Sequence, residues 1–267
     1  KPQKGNIKPR VFRLQEDRAI INSLGFNNKG VTKVKKNLLK IQNTLRSNKI
    51  IGVNLGKNKN SINAIDDYLL GMEKLGSLSS YITINISSPN TEGLRELQLK
   101  GKIEKLIKKI LQKREQIESI NKKPVLIKIS PDLNEDQLRD IALISLANNI
   151  DGLILTNTTT ERKNKLISNY KTKEGGLSGK PLYLTSNTIL KKMYNLTNGQ
   201  IPLIGVGGIS SGSDCYNKIK SGASLIQLYT ALIYSGPILI TNIKNELIDL
   251  IKTDGYKNIS DVIGKSV

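Results

Sequence analysis

Amides and hydroxyls collect where the apolar runs of this chain end. Run 50–55 contains Asn54; run 81–86 leads through Asn85 into Ser87, Ser88, Pro89, Asn90 and Thr91; run 152–156 passes into Asn157 and Thr158. Burying such groups without partners costs about 1–3 kcal/mol each, so their recurrence at successive run ends points to a polar ligand. Asn offers two donors and an acceptor, and several converging Asn side chains match the alternating edge of a pyrimidine or an isoalloxazine ring better than a sugar. Any one of these residues is equally well a turn former in an Asn-rich chain; the turn reading does not cover the recurrence.

Lys128 lies inside the apolar run Val125, Leu126, Ile127, Ile129, where an unpaired charge is costly and calls for an anionic or electron-rich partner. A lysine beside the N1 and O2 atoms of a flavin would stabilise its anionic reduced form; an outward-pointing lysine at a strand end is the alternative. The run Gly205, Val206, Gly207, Gly208, Ile209, Ser210 is not the dinucleotide fingerprint, because the third glycine is absent and the run comes late. It reads as a phosphate nest, where exposed backbone N–H groups meet a helix start, or as a tight structural turn. Gly175, Gly176, Leu177, Ser178 and Gly179 could bring more N–H groups and one hydroxyl to the same ligand.

These residues need a frame. After an irregular opening over 1–30, strands are expected over 50–55, 81–86, 125–129, 152–156, 203–206 and 224–228, most of them apolar on both faces. Helices are expected over 61–75, 101–119, 135–148, 185–196, 212–220 and 237–252, with Pro131 and Asp132, or Ser210 and Ser211, as start signals. Strict strand–helix alternation implies a parallel sheet, doubly wound or closed as a barrel, and a glycine turn after the late strand suits the phosphate end of a (β/α)8 barrel. Six strands instead of eight assign 1–267 to one partial barrel domain, strands 3 to 8, with the first two strands upstream of Lys1. The stretch 156–180 is long for a barrel connection and, with its glycines, reads as a mobile active-site loop or in part as a surface insertion.

Composition excludes several chemistries. The 267 residues suffice for one large core, and two Phe with no Trp make that core aliphatic. With no His and a single cysteine, Cys215, the chain lacks the usual zinc ligands, the usual general base and any internal disulfide framework. The net charge of +20 invites a nucleic-acid reading. However, Lys102, Lys105, Lys108, Lys109 and Lys113 are scattered on a helix without interleaved Arg and aromatics, so a solvated basic surface is the expectation and nucleic acid is not. No stretch approaches 18 uncharged apolar residues and no cleavable signal opens the chain.

The strings NISSPNTEGLR (85–95), TNTTT (156–160), GGLSGKPL (175–182), GVGGISSG (205–212) and LYTAL (228–232) closely resemble the class 2, quinone-dependent dihydroorotate dehydrogenases. The resemblance runs the length of the chain, including KPRVFR (8–13) and the segment Asn22 to Asn27. It implies oxidation of dihydroorotate to orotate in pyrimidine synthesis, with hydride passing to FMN and electrons on to ubiquinone. It assigns Ser88 as catalytic base, where class 1 enzymes use Cys, with Thr91 as a helper because a serine hydroxyl is a poor base at its ordinary acidity. It assigns Asn22, Asn85, Asn90, Asn157 and Thr158 to the substrate. It assigns Asn54, Asn85, Lys128, Thr156, Ser178, Gly179, Gly207, Gly208, Tyr229 and Thr230 to FMN.

Family members carry a quinone-tunnel domain, two barrel strands and a glycine-rich loop with a flavin-contacting lysine ahead of the position of Lys1, so membrane association is expected through a segment outside this sequence. GLSGKPL and GISSG look more like mitochondrial members than bacterial ones, which places the expected site at the inner mitochondrial membrane, where a basic surface is drawn to anionic headgroups. Two other readings stay open on sequence: a different FMN barrel oxidoreductase, distinguished by product analysis with dihydroorotate, and a non-catalytic remnant, excluded by a bound flavin that dihydroorotate reduces.

Overall fold

A computed structural model describes residues 1–44, 49–162 and 165–267. The elements are β1 (Val11–Leu14), β2 (Ala19–Asn22), α1 (Val31–Thr44), β3 (Gly52–Leu55), α2 (Ala64–Leu75), β4 (Tyr81–Asn85), α3 (Lys100–Glu115), β5 (Val125–Ile129), α4 (Glu135–Ala147), β6 (Gly152–Leu155), β7 (Gly176–Gly179), α5 (Tyr183–Leu196), β8 (Leu203–Val206), α6 (Gly212–Lys220), β9 (Ala223–Gln227), α7 (Thr230–Ser235) and α8 (Ile238–Thr253). Six strands form one parallel sheet in the order β3-β4-β5-β6-β8-β9, each joined to the next through at least one helix. This is the α/β order of a (β/α)8 barrel over six strands. Among the described residues β3 and β9 each have a strand on one side only, so the sheet is open between them.

Period-two alternation sorts the side chains onto two apolar faces. Ile82, Ile84, Val125, Ile127, Ile129, Leu153, Leu155 and Leu203 pack outward against Met72 of α2, Ile103 and Ile107 of α3, Ile141 of α4 and Leu190 of α5. The opposite face holds a smaller cluster of Leu126, Ile154 and Ile204, with Tyr81 and Val206 against it. That alternation decides the site: two residues on from Leu126 is Lys128, and two on from Ile154 is Thr156, so both follow the inner face at the carboxyl end of the sheet.

Local chemistry explains the helix starts. Asn63 accepts from Ile65 N to cap α2, and Ser211 accepts from Asp214 N to cap α6. Asn134 and Gln137 form a reciprocal capping box on α4. The start of α4 is therefore Asn134 and not the expected Pro131 and Asp132; Asp132 is used elsewhere.

The opening is not irregular throughout. Strands β1 and β2 pair antiparallel, and β2 pairs antiparallel with β7, making a three-stranded sheet β1-β2-β7. Its strands are four residues each and lie in turn-rich sequence, too short for periodicity to register. Helix α1 also goes beyond the expectation: Val31, Val34 and Leu38 recur at helical spacing and pack toward the core, though Leu38 is its one buried residue. The stretch 156–180 is partly ordered by β7, by a bridge between Thr159 and Leu177, and by Arg162 donating to Gly175 O at 2.9 Å; residues 163–164 of that expected loop lie outside the described residues.

Candidate active site

A cavity of about 610 Å³ opens at the carboxyl ends of β5, β6, β8 and β9, and β2 and β7 wall its far side. Of the residues expected at the site, Asn22, Lys128, Thr156, Asn157, Thr158, Ser178, Gly179, Gly207, Gly208, Tyr229 and Thr230 line it. The small sheet makes this possible: β2 brings Asn22 beside Gly176 of β7 and Ile20 beside Ser178. Thr230 Oγ1 lies 2.9 Å from Ser178 Oγ, which ties α7 to β7. Tyr234 fastens α7 to the hairpin, donating to Leu14 O at 3.0 Å or Ala19 O at 2.8 Å, with the Arg13 and Arg18 guanidinia 4.3 and 4.8 Å from its ring centroid.

The amides at and behind the cavity wall form two hydrogen-bonded groups, one around Asn85 and Asn157 and one around Asn90 and Asn22. Asn85, 3% exposed, accepts at Oδ1 from Ser87 N at 3.2 Å, Ser87 Oγ at 2.9 Å and Asn157 Nδ2 at 3.3 Å. Asn157 Nδ2 also donates to Ser87 Oγ at 2.9 Å, while its own Oδ1 accepts from Thr158 N at 2.7 Å. Asn90 donates to Asn22 O at 3.0 Å and to Asn22 Oδ1 at 3.2 Å. Thus Asn85 and Asn90 reach the cavity through Asn157 and Asn22. Ser88 Oγ accepts from Asn90 N at 3.3 Å. Ser88 and Thr91 are both buried, and among the described residues no hydrogen bond joins their hydroxyls.

Asn54 stands apart from this group. It is exposed and lines a second cavity of about 370 Å³ with Phe26, Leu38 and Lys57. The physical reason is its strand: β3 is an edge, four places from β8 and its glycines in the sheet order.

Two residues missing from the expected set hold the loops in place. Arg95 donates from Nε to Ser87 O at 3.1 Å, from one terminal nitrogen to Thr158 O at 3.0 Å, and from the other to Asp132 Oδ2 at 2.7 Å. Asp132 accepts in turn from Thr160 N at 2.9 Å, Thr160 Oγ1 at 3.1 Å and the Thr159 hydroxyl. Burial opposes ionisation of Asp132, but the bonds from Thr159, Thr160 and Arg95 outweigh it and hold the carboxyl below its ordinary range. The rigid fork of arginine suits this three-way clasp of the loops after β4, β5 and β6. Arg95 stands in the NISSPNTEGLR string, yet nothing in sequence announces a partner 37 residues away.

Lys128 has neither a hydrogen-bond nor an ion-pair partner among the described residues. Burial pushes its ammonium down to about 8. Its accessible surface is intermediate because one side faces the cavity. A cation placed thus stabilises a negative charge in the cavity more strongly than a surface lysine would.

Across the cavity, Gly207 and Gly208 follow β8 with φ of 121° and 74°, a region that favours glycine. A Cβ on Gly208 would fall 2.5 Å from Tyr183 Cβ. Their two amide N–H groups have no acceptor among the described residues, and both residues line the cavity, which is the arrangement of an anion-binding nest.

Comparison with known proteins agrees with this architecture. Residues 1–251 match the family model described as dihydroorotate dehydrogenase. The chain is 47% identical to the mouse mitochondrial dihydroorotate dehydrogenase (quinone), across 98% of this chain and 68% of the mouse protein. It is 48% identical to the dihydroorotate dehydrogenase (quinone) of Parvibaculum lavamentivorans, across 100% of this chain and 74% of that protein. The crystal structure of the Eimeria tenella enzyme in complex with ferulenol superposes with a TM-score of 0.93 at 40% identity, covering 99% of this chain and 76% of that one. The chain belongs to the dihydroorotate dehydrogenase family.

Proposed function

We propose that the chain oxidises dihydroorotate to orotate, as a quinone-dependent dihydroorotate dehydrogenase in pyrimidine biosynthesis, with FMN held in the 610 Å³ cavity. The observation that carries this is the convergence on one cavity of two hydrogen-bonded asparagine pairs, a lysine without a partner among the described residues and a glycine nest. The residues present fit FMN: the two free amides of Gly207 and Gly208 would hold its phosphate, and Lys128 would offer a cation to its electron-rich ring system. FMN bound there would supply a hydride acceptor that can also deliver electrons to a quinone.

The chain's own residues do the rest. Asn22, Asn90, Asn157 and Asn85 present donors and acceptors to the pyrimidine and its carboxylate, and their mutual hydrogen bonds fix those donors in advance. Ser88 takes the proton α to the ring carbonyl. Its hydroxyl is a weak base, so the proton moves on to Thr91 or water. Thr156, Ser178, Gly179, Tyr229 and Thr230 hold the flavin from the strand ends and β7. Val11, Tyr229 and Ile233 line the cavity and are 50, 72 and 46% exposed, an apolar approach suited to a quinone ring. No helix among the described residues is long and apolar enough to cross a membrane. The reading places the enzyme at the inner mitochondrial membrane, with the basic surface against anionic lipid.

The test is anaerobic mixing of the purified protein with dihydroorotate while following flavin absorbance. Bleaching with orotate as product supports the reading. A colourless protein, or a flavin indifferent to dihydroorotate, overturns it.

A further inference from the structure

Under the Gly207–Gly208 turn lies a lysine that the reaction above does not use. Lys218, on α6, is 0% exposed. Its ammonium donates only to neutral atoms, Ser186 Oγ at 2.7 Å and Asn187 Oδ1 at 2.6 Å, and sits 5.3 Å from the centroid of the Tyr183 ring. No carboxylate lies within ion-pair distance among the described residues. The nearest acid in sequence, Asp214, accepts at Oδ2 from Ser210 N and Ser210 Oγ, each at 2.9 Å. A buried cation with no counter-ion costs several kcal/mol, a cost relieved when an anion arrives nearby.

The geometry says where. The lysine stem passes beneath β8, so that a Cβ on Gly205 would lie 3.1 Å from Lys218 Cδ. Ser186 Oγ, which accepts from Lys218, shares its one proton between Tyr183 O at 2.9 Å and Gly207 O at 3.1 Å. The Gly207 carbonyl and the Gly208 N–H belong to one planar peptide unit and point oppositely. Holding the carbonyl on the Ser186 side therefore turns the Gly208 N–H away from it, where it has no protein acceptor and borders the cavity.

We propose that Lys218 is a positioning residue for a phosphate dianion: through Ser186 and the Gly207–Gly208 peptide it orients the nest and supplies its positive potential. The phosphate is that of FMN under the reading above, on which this rests. Burial drives Lys218 down to about 7, while Asp214 and Cys215 pull the other way. Without an anion nearby the Lys218 ammonium thus stands near the point of losing its charge, and a bound dianion holds the proton on.

The test compares FMN with riboflavin, which lacks the phosphate, by fluorescence titration of full-length protein freed of flavin. Wild type should prefer FMN. Lys218→Met should lose tenfold or more of its FMN affinity and keep its riboflavin affinity within about twofold, which also certifies the fold. A variant that keeps the preference overturns the proposal alone; a wild type with no preference overturns the phosphate reading and this proposal together. Should Lys218→Met fail to fold, wild type decides: its preference should fall as pH rises from 7 to 9, above the phosphate's own ionisation near 6, as Lys218, facing Asp214, Cys215 and Tyr183, deprotonates. A flat profile overturns the proposal.

Discussion

Arg95 and Asp132 meet at 2.7 Å, 25 and 11% exposed, and between them hold Ser87, Thr158, Thr159 and Thr160. Arg95 grips the carbonyl of Ser87, the residue before the serine assigned as base, so its removal should be felt in chemistry as well as stability. Arg95→Lys keeps the charge and loses the fork. We expect a loss of about 1.5–3 kcal/mol of stability, the range for a hydrogen bond to a charged group, and at least a tenfold fall in kcat. Denaturant unfolding and steady-state turnover check both; unchanged kcat in a destabilised variant would confine the clasp to a structural role.

Ser88→Ala should slow reduction of the flavin by dihydroorotate by roughly 10²–10⁴, the usual contribution of a positioned proton acceptor. Flavin content and spectrum should not change, because Ser88 is assigned to the substrate and not to the flavin. Rapid-mixing absorbance measures it, and wild-type reduction rates in the variant would move the base elsewhere.

Lys128 makes a pH-dependent prediction with opposite signs for stability and binding. Its folded value, about 8, lies below the ordinary 10.5, so in flavin-free protein the folded state is penalised below pH 8, and the penalty fades between 8 and 10.5. The full shift corresponds to at most about 3 kcal/mol. Lys128→Met should therefore stabilise flavin-free protein at pH 7 and lose that advantage at higher pH, while binding reduced flavin less well. Melting curves from pH 6 to 10 test the first part. A variant equally stable or less stable than wild type throughout would mean that the cation is not penalised.

Gly208→Ala places a methyl group 2.5 Å from Tyr183 Cβ and 2.6 Å from its Cα, at φ 74°. The left-handed conformation alone costs about 1–2 kcal/mol, and the clash adds to it by shifting the nest. The expected outcome is protein purified with little flavin and a lowered Tm. Full flavin occupancy in this variant would argue that the Gly207–Gly208 amides do not grip the phosphate.

Long apolar runs announced the six parallel strands, because a strand covered on both faces is nearly all Ile, Leu and Val. The same logic exposed Lys128, an interruption in such a run. What escaped the sequence is what depends on pairing at a distance. Each strand of the small sheet offers four residues, and its register is set by partners such as Asn22 and Gly176. Arg95 and Asp132 look individually like surface charges until the loops fold back. Lys218 sits among residues typical of an exposed helix, and only the bonds of its ammonium to Ser186 and Asn187 of α5 reveal its burial. Asn54 shows the same limit: its place in an apolar run suggested the common site, and the edge position of β3 sets it beside a second cavity.

The pairing of β2 with β7 carries a consequence for synthesis. Asn22 and Gly176 lie 154 residues apart, so at about 5–20 residues per second the ribosome needs roughly 8–30 s to deliver the second strand after the first. Through that interval the hairpin β1–β2 has an open edge and the cavity lacks a wall. On the proposed function, flavin capture is thus a late event in the life of each nascent chain. Stalled chains ending before Gly176 should retain no flavin on the ribosome, whereas chains long enough to expose residues through Tyr234 should begin to do so.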